Sequence, residues 1–141
     1  MEVKLKNIKK KLINKKILII TGKSSFNLSG ASDQILSLIK KKNTFIYYKI
    51  NRQPELQEFL SIIKIINKFK PDMILGIGGG TSIDYSKLCS VFFDQKNIKK
   101  IIEKNLPLKI KKKIPTLVIP TTAGTGAEVT KFGTIFIKNK K

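Results

Sequence analysis

Two short stretches of this chain have the composition of a phosphate-binding edge. In Gly76-Ile77-Gly78-Gly79-Gly80-Thr81-Ser82, four glycines and two hydroxyl residues follow directly on an apolar run. Glycine lets the backbone approach a ligand closely and adopt positive φ. A helix opening at this point adds unpaired amides and the positive end of its dipole, both suited to an anion. Backbone N–H groups at Gly78, Gly79 and Gly80, with the hydroxyls of Thr81 and Ser82, then form a cradle for phosphate oxygens. The alternative is a tight strand–helix turn with no ligand. The stretch is not G-x-G-x-x-G, because Thr81 stands where the last glycine belongs. Nor is it a P-loop, since Lys87 lies too far along. The second stretch, Pro120 to Thr130, holds four threonines and two glycines. Thr121, Thr122 and Thr125 can contact phosphate or ribose oxygens, or the segment can be a turn that satisfies its own backbone. A third loop, Gly22-Lys23-Ser24-Ser25, offers a cation that either meets a phosphate or is solvated like the other lysines.

Other chemistry is excluded by composition. The 141-residue chain has no His and one Cys. It therefore cannot itself supply a His-containing triad, a His general base, a His-containing metal site, a Cys cluster or an intramolecular disulfide. No catalytic and no metal-ligating residue is assigned. Cys89, among Leu88, Val91 and Phe92, reads as core, and Asp84 with Lys87 reads as an ion pair on one helix face. The formal charge of +20 raises a nucleic-acid reading. Against it, only Arg52 of the 29 basic residues is an arginine, and the lysine runs at 9–11, 40–42 and 111–113 fall at element ends or in loops without interleaved aromatics. We read the charge as solvated surface and keep a polyanion-binding face as the rival. No apolar run approaches the ~18 residues of a membrane span, and the N-terminus lacks the pattern of a secretory signal. A cytoplasmic setting is expected.

The elements that position the loops follow from periodicity. Ile17-Leu18-Ile19-Ile20, Met73 to Ile77 and Thr116 to Ile119 are continuous apolar runs, as in strands buried on both faces of a parallel sheet. Thr44 to Ile50 predicts a further strand, and Phe132 to Ile137 another by its alternation. Helices are predicted from Ser29 as N-cap through Ile39, from Pro54 to Phe69, from about Ser82 to Phe93, and over Asn97 to Lys104. The first 15 residues read as a basic amphipathic helix or packed arm bearing Leu5, Ile8, Leu12 and Ile13. The βαβ alternation predicts one α/β domain over 1–141, a parallel sheet flanked by helices. Its ligand would lie beyond the carboxyl ends of the strands, where all three loops fall.

These residues match a known family. Gly78-Gly79-Gly80-Thr81-Ser82-Ile83-Asp84-Tyr85-Ser86-Lys87 resembles the GGGS-x-x-D-x-x-K segment of iron-containing (group III) alcohol dehydrogenases, and Pro120 to Thr130 resembles their PTTAGTGSE segment. The resemblance runs from about Lys16 to the C-terminus. It implies a Rossmann-like N-terminal domain of the dehydroquinate synthase type that binds NAD or NADP, with Gly79, Gly80 and Thr81 at the pyrophosphate and Thr121, Thr122 and Thr125 toward the adenine side and phosphates. Gly22, Lys23 and Ser24 would cover the nucleotide, and Asp84 and Lys87 would have a supporting role. It further implies hydride transfer between the cofactor and an alcohol or aldehyde. A helical domain with an Asp and three His would hold a divalent metal, usually iron. This chain has no His, so the expectation is a truncated cofactor-binding domain ending in mid-hairpin at Asn139-Lys140-Lys141, without that helical domain and inactive alone, with a non-functional truncated product as a further alternative. Its expected partners are the missing half or a second copy. Three departures stand out: Thr81 and Ala127 replace serines, and Gly22 stands where some NAD-preferring members have Asp, which makes NADP admissible. The wording of residues 22–31, with Lys131-Phe132, resembles the branch that includes phosphonoacetaldehyde reductases.

Overall fold

The computed structural model describes residues 2–122, 126 and 133–138. Its centre is a four-stranded, all-parallel sheet in the order β2-β1-β3-β4, formed by β1 (Ile17–Thr21), β2 (Thr44–Tyr48), β3 (Met73–Gly78) and β4 (Thr116–Pro120). The two inner strands β1 and β3 are buried at every residue, whereas the edge strands β2 and β4 are only partly so. That is why the inner pair reads as unbroken apolar runs.

Side chains alternate between the two faces, and each face has its own core. Leu18, Ile20 and Ile74 meet Phe59, Ile62, Ile63 and Ile66 of α4 (Leu56–Phe69) and Tyr85, Cys89 and Phe92 of α5 (Gly80–Phe92). Ile17, Ile19, Leu75 and Ile77 meet Leu12 of α1 (Glu2–Leu12), Phe26 of α2 (Lys23–Leu28) and Ile35 of α3 (Ala31–Leu36). Gly76 sits where α5 crosses the sheet. A Cβ there would lie 2.4 Å from Ser86 Oγ, so glycine is what lets the helix pack this close. A short α6 (Ile98–Glu103) adds Ile98 to the first core. The N-terminal segment is a helix through Leu12. Leu12 is buried, while Ile13 is 47% exposed and belongs to no core face.

Three expectations are corrected. Ser29 does not start a helix: it closes α2, and Gly30, in the left-handed region at φ 70°, precedes α3. Helix α2 itself was not anticipated, because Lys-Ser-Ser-Phe-Asn-Leu buries only Phe26. The expected strand from Phe132 to Ile137 is, among the described residues, a single parallel bridge between Phe136 and Glu55. Smaller shifts are that β2 ends at Tyr48 and that α5 begins at Gly80, directly after the glycines. The expected hairpin at Asn139-Lys140 lies outside the described residues.

Candidate functional site

The strand register brings the loops to one edge. Thr21 pairs with both Tyr48 and Ile77, and Gly78 pairs with Pro120, so β1, β2, β3 and β4 end side by side. Backbone bonds stitch the ends together: the Thr121 amide donates to the Gly78 carbonyl (3.0 Å), and the Lys49 amide donates to the Thr21 carbonyl (2.8 Å).

β3 hands over to α5 through Gly78 and Gly79. Gly78 has φ 137°, a conformation that side chains rarely adopt. Gly79 is the N-cap of α5 with ordinary extended angles, and its carbonyl accepts the Ser82 amide at 3.1 Å and the Ile83 amide at 3.3 Å. The amides at Gly80 and Thr81 open the helix and have no acceptor within it. A Cβ on Gly79 would come within 3.2 Å of Thr122 Oγ1, so the second loop lies close against the first.

A cleft of about 470 Å³ opens here, lined by Gly22, Lys23, Ser24, Ser25, Lys49, Arg52, Gly79, Gly80 and Thr81. Of the residues expected at the site, Gly22, Lys23, Ser24, Gly79, Gly80 and Thr81 thus share one cavity. Gly78 and the buried Ser82 lie beneath it, and Thr121 and Thr122 adjoin through their contacts with Gly78 and Gly79. Thr125 lies outside the described residues. The Thr81 hydroxyl donates to the Arg52 carbonyl, so Thr81 faces the cleft chiefly through its backbone amide. Ser25 Oγ donates to the Gly22 carbonyl at 3.1 Å and shapes the first loop. Two buried hydroxyls, Ser82 Oγ and Thr121 Oγ1, have no hydrogen-bond partner among the described residues. Orphaned donors beside a glycine cradle fit a group rich in phosphate oxygens.

Lys49 and Arg52 were not singled out from the sequence. The available signal was the lone arginine four residues beyond the end of β2. Glu58 was also missed, because a glutamate on a helix reads as surface. It is buried, and its carboxylate accepts the amides of Ile50 (2.6 Å) and Asn51 (3.0 Å) and the hydroxyls of Tyr47 (3.1 Å) and Tyr85 (3.0 Å). Burial alone would raise its pKa, but these four donors outweigh burial and hold it below the ordinary value. Burial and the facing carboxylate push the Tyr47 phenol up to about 12 and raise Tyr85 further, so both remain neutral donors. Tyr85 Oη also accepts the Glu55 amide (2.7 Å), which ties α5 to the start of α4.

A larger cleft, about 660 Å³, is lined by Glu55, Lys99, Glu103, Phe136 and Lys138 among others. Its cations are paired with its own carboxylates: Lys99 with Glu103 at 3.8 Å and Lys138 with Glu55 at 3.0 Å. The glycine cleft, by contrast, has three cations and no carboxylate among its lining residues. Asp84 and Lys87 form the expected ion pair at 3.5 Å, and Cys89 is fully buried with its thiol pKa raised by burial.

The model of the iron-containing alcohol dehydrogenases matches residues 2–141. The chain belongs to this family. It is 31% identical over 136 residues to the bifunctional aldehyde-alcohol dehydrogenase AdhE of Escherichia coli (strain K12), a match that covers 86% of the chain and 15% of that protein. It is 28% identical over 135 residues to the NADPH-dependent butanol dehydrogenase of Clostridium saccharobutylicum, covering 93% of the chain and 34% of that enzyme. The crystal structure of an iron-containing alcohol dehydrogenase from Thermotoga maritima superposes with a TM-score of 0.78 at 27% identity, over 96% of this chain and 38% of that one. The α/β fold with a parallel sheet is therefore that of a family member, and the chain spans about a third or less of the curated relatives it matches. Among the described residues no group of three or more His, Cys, Asp or Glu comes together. No helix of the described residues is long and apolar enough to cross a membrane.

Proposed function

We propose that this chain is the nucleotide-binding part of an NAD(P)-dependent alcohol/aldehyde oxidoreductase. The observation that carries the reading is the single cleft in which the turn from β3 into α5 faces the loop after β1, with the loop after β4 against its glycines. The amides at Gly79, Gly80 and Thr81 hold the pyrophosphate at the start of α5. Ser82 and Thr121 offer their orphaned hydroxyls, and Thr122 closes the adjoining wall. Gly22, Lys23 and Ser24 cover the nucleotide from the first loop. When bound, the dinucleotide supplies the hydride chemistry, and this chain's contribution is to bind and orient it.

The alcohol or aldehyde and its activating metal are held by groups other than these residues. The absence of His from the chain supports this. The 141-residue chain then binds cofactor but does not turn over alcohol. The likeness of residues 22–31 to phosphonoacetaldehyde reductases favours an anionic substrate, and a cytoplasmic setting suits the family.

Calorimetric titration of the folded chain with NADH and NADPH tests the reading. Saturable binding of at least one is expected. Absence of binding by both at millimolar concentration sinks the cofactor role, and metal-dependent alcohol oxidation by the pure chain overturns the claim that it is inactive alone. Steeply salt-dependent binding to nucleic acid that does not compete with either dinucleotide would favour the rival polyanion reading.

A further inference from the structure

The chain uses lysine almost wherever it needs a cation, and its one arginine stands at the rim of the glycine cleft. In a parallel sheet whose glycine loop follows one strand, the adenine ribose lies toward the neighbouring strands. Their loops decide whether its 2′ position must carry a hydroxyl or a phosphate: a carboxylate there bonds the hydroxyl, and an arginine accommodates the phosphate. Here the glycine loop follows β3, the next strand toward that edge is β1, and beyond it is β2. β1 ends at Thr21-Gly22 with no carboxylate, and β2 leads into Lys49 and Arg52. With Lys23 these give three cations around one cleft and no Asp or Glu lining it.

The start of α5 suits the pyrophosphate of either dinucleotide, and these cations add positive charge beside it. A phosphate monoester carries nearly two negative charges at neutral pH and three acceptor oxygens. The guanidinium's planar fork grips such a group with two bonds, which an ammonium cannot do.

The Arg52 backbone is also held in place. Its carbonyl accepts the Thr81 hydroxyl from the first turn of α5. The two preceding amides, Ile50 and Asn51, are bound by the buried Glu58, and Lys49 Nζ donates to the Asn51 carbonyl at 3.0 Å. The turn is therefore fixed to α4 on one side and to α5 on the other, while Arg52 itself is exposed and lines the cleft. A preorganised backbone bearing an exposed guanidinium loses little conformational freedom when a phosphate docks.

We propose that Arg52, flanked by Lys49 and Lys23, forms a phosphate-monoester subsite for the 2′-phosphate of NADP, and that Arg52 is the residue that makes NADPH the preferred dinucleotide. The proposal rests on the reading of this edge as a dinucleotide site. Its test uses four probes on the 141-residue chain at physiological salt: NADPH, NADH, 2′,5′-ADP and 5′-ADP. The variants are Arg52→Ala, Arg52→Lys and, away from the cleft, Lys99→Ala. The wild type is expected to bind NADPH and 2′,5′-ADP at least about tenfold tighter than NADH and 5′-ADP, one charge-assisted bidentate contact's worth of discrimination. Arg52→Ala removes most of that preference while changing NADH and 5′-ADP less than about twofold, Arg52→Lys falls between, and Lys99→Ala changes nothing. Equal affinity of the wild type for phosphorylated and unphosphorylated probes overturns the subsite and leaves the dinucleotide reading standing. So does an Arg52→Ala variant that weakens all four probes alike or none. Failure of all four probes to bind a folded wild type overturns both.

Discussion

Removing Glu58 is expected to be the most damaging single change outside the apolar core. Glu58→Ala leaves the amides of Ile50 and Asn51 and the hydroxyls of Tyr47 and Tyr85 without their shared acceptor. Bonds to a charged group contribute about 1.5–3 kcal/mol each. Ile50 and Asn51 lie near the surface and regain some water, and Tyr85 keeps its bond with Glu55, so the low end applies. The expected loss is about 4 kcal/mol, or roughly 15 °C in midpoint for a domain of this size. Glu58→Gln keeps the shape and one acceptor oxygen but turns its amide toward a donor, and should cost about half as much. The pH dependence separates this reasoning from simple loss of packing. The carboxyl's pKa is depressed in the fold, below an ordinary 4.5, so its stabilisation is fully present above the unfolded value and lost as pH falls through the folded one. The gap between wild type and Glu58→Gln, read from urea melts followed by far-UV circular dichroism, should therefore be widest near about pH 7 and shrink below about pH 4.5. A Glu58→Ala cost under about 1 kcal/mol, or a Gln gap that does not change with pH, would refute the reasoning.

Three further outcomes follow from the same geometry. Gly79→Ala keeps allowed backbone angles but places a methyl 3.2 Å from Thr122 Oγ1 inside the cradle; dinucleotide affinity by calorimetry should fall about tenfold with the melt nearly unchanged, one charge-assisted bond's worth. Gly76→Ala drives a Cβ to 2.4 Å from Ser86 Oγ and 2.9 Å from Ser86 Cβ; overpacking should cost about 1–3 kcal/mol in a urea melt, partly recovered by adding Ser86→Gly. Cys89 is sealed in the core with its thiol pKa raised, so a thiol-reactive dye should label it only as the chain unfolds, and Cys89→Ser should cost about 1–3 kcal/mol by burying an unpaired hydroxyl.

The elements most legible in the sequence were those whose burial is simplest. β1 and β3 are enclosed by helices on both faces, so apolar runs alone mark them, and α4 shows its periodicity because Phe59, Ile62, Ile63 and Ile66 all point into one core. Helix α2 was illegible because six residues with one buried side chain carry no period. Ser29 misled because a serine ahead of an apolar run is an N-cap signal, whereas here the left-handed Gly30 separates two short helices and the serine closes the first. Phe136 misled through alternation: strand identity depends on partners, and its described neighbours offer one bridge at Glu55.

At the site, residue types could be read but distances could not. The glycines announce themselves because few other roles need three in a row, and the register of a parallel sheet brings the turn at Gly78 beside Thr121 and Gly22 beside Gly79. What local sequence cannot show is the turn after β2, since its importance depends on Glu58 reaching back from α4 and Thr81 reaching across from α5. These bonds span 7 to 29 residues and involve a glutamate and a threonine that in isolation look like surface. The charge had the same ambiguity. Spread over the whole chain it says little, but three cations around one cleft without a carboxylate, set against a neighbouring cleft whose lysines are paired with its own glutamates, make a local field suited to phosphate. The useful quantity was therefore the imbalance of charge at one sheet edge, and the sheet topology is what concentrates it there.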